Sequence, residues 1–358
     1  MKSKILFIVP YPYNTAPSQR LKFEQYYSFF RDEGYELTHV SFIDESFWKI
    51  VYKPGYFLEK ILNTIKGYLK RYLLLFWMGQ YDIVYVHLWG TPFGFPVYEW
   101  LLRKFSKKLI YDIDDLVYLA DHSKNNKLSG VFKSSHKINF LMRTADEVLV
   151  STEKLDEYVQ KFHNRIIQIP ATIDLTRYPL RIKDVDSTVV IGWTGSHTTS
   201  KYLHLLDSVL REISKRHVVK IQVMGDPEFS IDGLDNLELI EWTAEKESEN
   251  LQRFDIGLHP LPNEDWVYGK SGGKLVQYMA AGVPILASAI GPNFKAVKEG
   301  YNGFLIATGD AWISKLELLI TDAGLRKEMG LNSRKVAEET YSTKANLNKY
   351  LHAFSANR

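Results

Sequence analysis

Two kinds of hydrophobic pattern alternate along the chain. Short apolar runs, "KILFIVP" (4–10), "ELTHVSF" (36–42), "DIVYVH" (82–87), "KKLIYDID" (107–114), "EVLVS" (147–151) and "IIQIP" (166–170), are separated by longer amphipathic stretches such as 20–32, 58–77 and 94–105. Near-continuous apolar runs predict parallel strands covered on both faces by helices. A second series follows: "TVVIGW" (188–193), "VKIQVMG" (219–225), "LELIEW" (237–242), "DIGLHP" (255–260), "VPILAS" (283–288) and "GFLIA" (303–307). Two such series predict an α/β chain of two doubly wound, Rossmann-like domains. The charged, proline-containing stretch "DLTRYPLRIKDVDS" (174–187) interrupts the rhythm and reads as the linker. The expected domains are 1–176 and 177–342. Leu347, Tyr350, Leu351 and Phe354 follow at i, i+3, i+4, i+7, which predicts a last helix near 343–354 with a stripe to bury. Ligands of open parallel sheets bind at the C-terminal ends of strands, so the expected site is a cleft between the domains.

Composition narrows the function classes. The 358 residues are 45% hydrophobic, enough for two cores, and the net charge of +3 is far from that of a dedicated nucleic-acid binder. There is no cysteine, which excludes disulfides, zinc thiolates and cysteine nucleophiles. A cytoplasmic location fits. The start, "MKSKILFIVPYPYN", has an apolar run closed by Pro10 and Pro12 and reads as a first strand, not a signal peptide. No run approaches the ~18 apolar residues that span a bilayer.

The stretch "YGKSGGKLVQYMAAGVPILAS" (268–288) crowds charge and glycine at the mouth of a helix. Ser271 suits its N-cap. Gly272 and Gly273 let a ligand approach the backbone. Lys270, Lys274 and Gln277 share a face if the helix extends back that far. Gly282 ends the helix and Pro284 forbids its continuation. Free amides, the positive helix end and two ammonium groups converge, as at an anion site for phosphate. A capped helix with two solvated lysines would show the same residues.

"FDIGLHPLPNEDWVYGKSGGKLVQYMAAGVPILASAIGPN" (254–293) resembles the signature of retaining glycosyltransferases of family 4 (glycosyl transferases group 1), with weaker likeness in "IGWTGSHTTSKYL" (191–203) and "IYDIDDLVY" (110–118). The resemblance implies the GT-B fold, two Rossmann-like domains facing across a cleft. The C-terminal domain would bind a nucleotide diphosphate sugar, the N-terminal domain an acceptor. The last helix, about 343–358, would return to the N-terminal domain. Ser271, Gly272 and Gly273 occupy the positions whose amides meet the diphosphate. Two family glutamates are replaced here, by Gly269 and Gln277; Gln277 can still hydrogen-bond a ribose hydroxyl, and Glu264 or Asp265 is a candidate for the sugar contact. Trp193 stands where the family has an arginine, and Lys201 follows at longer spacing than the family lysine. Lys270 and Lys274 are therefore the expected catalytic cations. Gly195, Ser196 and Gly225, at strand ends, complete the expected donor side. The fold usually manages its diphosphate without a metal, so no obligatory metal or other cofactor is expected.

Other constellations remain two-sided. Asp112, Asp114 and Asp115 end a strand and would border the cleft, touching an acceptor hydroxyl or donor sugar, or would merely cap the following turn; Asp112 and Asp115 join the catalytic candidates. "YPYNTAPSQR" (11–20) offers Asn14 and Arg20 to an acceptor, or is a solvated loop. His87 ends a strand and either lines the acceptor side or is structural, and His259 beside the donor motif reads the same way. The implied activity is transfer of a hexosyl group, with retention, to a hydroxyl of a glycan or lipid-linked acceptor in bacterial envelope polysaccharide or lipopolysaccharide synthesis. A non-catalytic sugar-nucleotide binder and a hydrolysing nucleotide-sugar epimerase on the same fold are the rivals. A dehydrogenase is disfavoured, because no G-x-G-x-x-G follows the first strand.

One segment complicates the picture. Phe47–Met78 holds Lys49, Lys53, Lys60, Lys66, Lys70 and Arg71 against the single acid Glu59. Leu58, Ile61, Leu62, Ile65, Leu69, Tyr72, Leu73 and Phe76 form a helical stripe. It packs on the first sheet, or else lies on an anionic membrane surface at the inner face of the cytoplasmic membrane.

Overall fold

The computed structural model describes residues 3–114, 135–180 and 188–355. The chain forms two compact units, Met1–Ala171 with Asn346–Arg358, and Thr172–Ala345.

The first unit is built on β1 (Lys4–Val9), β2 (Glu36–Ser41), β3 (Ile83–His87), β4 (Leu109–Ile113), β5 (Glu147–Val150) and β6 (Ile166–Gln168). They form one parallel sheet in the order β2-β1-β3-β4-β5-β6. Every residue of β3, β4 and β5 is buried, as expected of strands covered on both faces. One face packs on Phe23, Tyr26 and Phe30, and this cluster takes in Tyr350, Ala353 and Phe354 of the last helix, Thr343–Ser355. The Tyr26 and Tyr350 rings lie 4.7 Å apart. The apolar stripe of the last helix is thus buried in the first unit.

The second unit repeats the plan with β7 (Val189–Thr194), β8 (Val219–Met224), β9 (Leu237–Ile240), β10 (Ile256–His259), β11 (Ile285–Ser288) and β12 (Gly303–Ile306). Its parallel sheet has the order β12-β11-β10-β7-β8-β9. The strand order reverses beside β7 and β10, the switch point where open α/β sheets leave a crevice at their C-terminal ends. Both sheets are doubly wound, and each predicted apolar run supplies one strand.

For the helix Phe57–Leu75 the structure contradicts one of the two readings, packing of its stripe on the first sheet. Its leucine stripe does not pack on the sheet: Leu58, Ile61, Leu62, Ile65, Leu69, Tyr72, Leu73 and Phe76 are all exposed. The helix buries Gly67 and Arg71 instead. Gly67 lies against the Phe42 ring, where a Cβ would come within 2.6 Å. Arg71 donates to three carbonyls, Gly90 O (3.0 Å), Val40 O (2.9 Å) and Val9 O (2.7 Å). These bonds let a guanidinium be buried beside the ends of β1 and β2.

Candidate functional site

In the second unit the site is set by the turns after β7 and β8. Gly195 N donates to Met224 O at 3.0 Å, tying the two turns together. Gly225 has φ +101°, and a Cβ there would overlap Gly195 O, so only glycine lets these backbones meet. Onto this platform comes Lys274. Its Nζ donates to Thr199 Oγ1 at 3.1 Å and lies 4.1 Å from the centroid of the buried Trp193 ring. A Cβ on Gly195 would press within 2.6 Å of this Nζ. Trp193, standing where the resemblance expects an arginine, thus holds a lysine from another element.

Lys274 has no carboxylate partner among the described residues. Burial, with repulsion from Lys270 second, lowers its pKa from 10.5 to about 7. His259 nearby is also held neutral, at about 3, by burial and then by Lys274 itself; its Nδ1 meets Asn293 Oδ1 at 3.1 Å. A desolvated ammonium beside a second cation is a costly arrangement unless an anion completes it.

The helix entering this site runs from Gly273 to Ala280. Its N-cap is Gly272, left-handed at φ 73°, and no side chain caps it. The expected Ser271 cap is therefore corrected: a left-handed N-cap suits glycine, and Ser271 lies one residue outside. The amides of the first turn stay free of a side-chain cap, as an anion site requires. Lys270 is not on this helix but closes the 3₁₀ turn Asp265–Gly269, its ammonium 5.5 Å from the Trp266 ring centroid. Lys270, Lys274 and Gln277 thus do not share a helix face, although the two lysines are close enough to repel.

Gln277 is buried and its Nε2 donates to Glu247 Oε1. Glu247 also accepts from Trp242 Nε1 (3.0 Å) and Tyr178 OH (3.1 Å). With one Nε2 hydrogen given to Glu247, Gln277 keeps Oε1 and its second N–H for a ribose hydroxyl. Glu247 escaped the sequence reading because "TAEKESEN" reads as a solvated helix. Ser196 bonds Thr198 at 2.8 Å on the turn after β7. Lys201 is exposed, its ammonium 5.1 Å from the Tyr202 ring, and Asp265 is exposed at the start of its 3₁₀ turn.

The first unit holds a separate buried cluster. Asp112, on β4, accepts from Lys22 Nζ at 2.6 Å and bonds His87 Nδ1, on β3, at 2.7 Å. All three side chains are essentially inaccessible. Burial pushes the Asp112 carboxyl up, but Lys22 and then His87 outweigh it and hold it down at about 2. This corrects the reading of Asp112 as a group that touches substrate: both its oxygens are engaged, and it positions His87. His87 Nε2 is buried without a hydrogen-bond partner. The next residue, Leu88, is left-handed at φ 58°, a strained state for leucine. Asn14 is likewise left-handed, at φ 61°, and its N–H donates to Glu24 Oε2 at 2.9 Å. Burial raises Glu24 to about 7, although Gln19 donates to it at 2.8 Å. Arg20 is buried, so the 11–20 segment is an ordered turn rather than a solvated loop. Asp115 lies outside the described residues.

Comparison with known proteins follows the same lines. The two six-stranded parallel units have the GT-B architecture. Residues 188–322 match the sequence model of the family described as "Glycosyl transferases group 1". The capsular polysaccharide biosynthesis glycosyltransferase CapM of Staphylococcus aureus is 29% identical over 241 residues, 63% of this chain. The match spans 55% of that protein's own length. Sucrose-phosphate synthase of Thermosynechococcus elongatus superposes with a TM-score of 0.70 at 15% identity, over 99% of this chain and 100% of that one. Anabaena HepE, solved in complex with UDP-glucose, superposes with a TM-score of 0.68 at 16% identity, over 99% and 100%. The matched segment lies within the second unit, and the solved structures share the fold.

Proposed function

We propose that the protein is a retaining glycosyltransferase that moves a hexosyl group from a nucleotide diphosphate sugar to a hydroxyl of a glycan or lipid-linked acceptor in bacterial envelope polysaccharide synthesis. The observation that carries it is Lys274, a desolvated lysine with no carboxylate partner among the described residues, beside Lys270 and a helix start that no side chain caps. A diphosphate supplies the missing anion. As the glycosidic bond lengthens, charge grows on the leaving diphosphate, and these groups stabilise that charge more than the ground state. Gln277, steadied by Glu247, meets the ribose. The acceptor belongs on the first unit, beside the 11–20 turn; the His87 side chain is fully buried and does not line it. The relatives support this reading by name: CapM is a capsular polysaccharide enzyme, and HepE binds UDP-glucose.

The charge state of Lys274 makes a testable signature. An anion favours the ammonium form, so above about pH 7 binding takes up a proton. Affinity for a nucleoside diphosphate should fall toward roughly tenfold per pH unit above pH 7. Calorimetry in buffers of different ionisation enthalpy reads the proton directly; pH-independent binding with no proton uptake would remove Lys274 from the site. A thermal-shift screen of UDP-, GDP-, ADP- and TDP-sugars should identify the donor. NMR of the product with a glycan acceptor then reads the anomer. Donor hydrolysis or epimerisation in place of transfer, or no turnover with any acceptor, would overturn the proposal.

A further inference from the structure

The Phe57–Leu75 helix is built inside out. A surface helix normally turns its apolar stripe to the core. Here the core side carries Gly67 and Arg71, while Leu62 is 65% exposed, Leu73 60% and Phe76 84%. The arrangement is no fraying accident, because Arg71 is anchored by three carbonyls and Lys70 by Ser41 O at 2.9 Å. The apolar surface also continues beyond the helix. Tyr68 OH donates to Phe93 O at 2.7 Å, and the Tyr72 ring lies 5.7 Å from Tyr98. These contacts hold the 93–105 segment alongside, where Phe95 is 85% exposed and Trp100, with Lys104 over its ring, is 51% exposed. Contiguous exposed apolar surface on this scale marks an interaction site.

We infer that this face docks on an anionic lipid bilayer. Charge decides among occupants. Lys60, Lys66 and Lys70 lie on the helix with the stripe, Lys66 paired with Asp44 at 2.7 Å, and Glu59 is the only acid within the helix. A second copy of the chain would set these lysines against their own kind, whereas anionic headgroups neutralise them. A groove of about 410 Å³ beside the helix is lined by Leu69, Leu73, Leu74 and Trp77 together with Lys66 and Lys70. That lining suits one anionic lipid, phosphate on the lysines and acyl chain on the leucines. Among the described residues no helix is long and apolar enough to cross a membrane, so the mode is binding at the interface. The docking surface lies on the unit proposed to take the acceptor. It does not depend on that reading, since lipid binding is read without turnover.

The test is flotation of the full chain with phosphatidylcholine vesicles, with and without phosphatidylglycerol, at low and high salt. The wild type should partition roughly tenfold or more in favour of the anionic vesicles at low salt, and lose that preference at high salt. Leu62→Gln/Leu69→Gln/Leu73→Gln changes only exposed positions. It should keep the melting temperature and transfer to a soluble acceptor, and lose flotation. Lys66→Glu/Lys70→Glu should lose the anionic preference. Equal binding to both vesicles, or flotation of the Leu→Gln variant like the wild type, overturns the inference. So does a wild type that fails to float and forms a dimer abolished by the Leu→Gln changes.

Discussion

Replacing Lys274 with methionine should lower turnover by roughly 10²–10³-fold, by analogy with loss of an oxyanion-hole donor, without lowering the melting temperature at neutral pH. The two effects have opposite signs because one ammonium causes both. In the ligand-free protein it lies between Trp193 and Thr199, repelled by Lys270 and compensated by no carboxylate among the described residues. Methionine is unbranched and fills similar space without a charge. Because the folded pKa of about 7 lies below the ordinary 10.5, the unfolded chain holds more protons between those values. Wild-type stability from this group therefore rises with pH across that window, and as pH falls it is lost progressively from 10.5 down to about 7, below which the full penalty applies. The advantage of the Lys274→Met variant should be largest at pH 6, smaller at pH 9, and vanish only as pH approaches 10.5. In the donor complex the sign reverses, since the ammonium then faces the diphosphate, and the variant should be stabilised less by nucleotide. Differential scanning fluorimetry at the two pH values, with and without nucleotide sugar, and a transfer assay check each limb. Wild-type rates in this variant would place the diphosphate elsewhere.

The sheets were legible from the chain because a strand covered on both faces must be apolar at nearly every position, and β3, β4, β5 and β10 are. Lys274 and the glycines at the mouth of the Gly273–Ala280 helix stood out in the chain because helix mouths draw on a small set of residue types. What could not be read is pairing across long separations. Lys22 and Asp112 are 90 residues apart, and nothing local to either announces the other. Glu247 joins Gln277 across 30 residues from within a stretch patterned like a surface helix. The inverted helix was left two-sided for a different reason. Periodicity says which residues share a face, not which face the protein covers. Gly67 and Arg71 were the available signals, a glycine amid good helix formers and an arginine among leucines, and both are explained by close packing of the polar side.

The buried cluster of the first unit sets the other large effect. Lys22→Met should destabilise the protein by about 3–5 kcal/mol at neutral pH, the range for leaving one member of a buried pair uncompensated. Lys22 and Asp112 are at most 1% exposed and 2.6 Å apart, so solvent cannot take over the missing partner. In the wild type the depressed Asp112 pKa, about 2, adds stability that is fully present above the ordinary carboxylate range and is lost as pH falls toward 2. In Lys22→Met, burial is opposed by His87 alone and the carboxyl pKa must rise. The sign then inverts, and the variant should lose further stability as pH climbs from acid to neutral. Asp112→Asn alone leaves Lys22 buried and charged and should also destabilise. The double variant Lys22→Met/Asp112→Asn removes both charges and should recover much of the loss, with a coupling energy of roughly 0.5–3 kcal/mol or more in a double-mutant cycle. Urea denaturation of the four proteins at acid and neutral pH measures this. Additive losses in the cycle would show that the two charges do not depend on each other, and that His87 is positioned by something other than this ion pair.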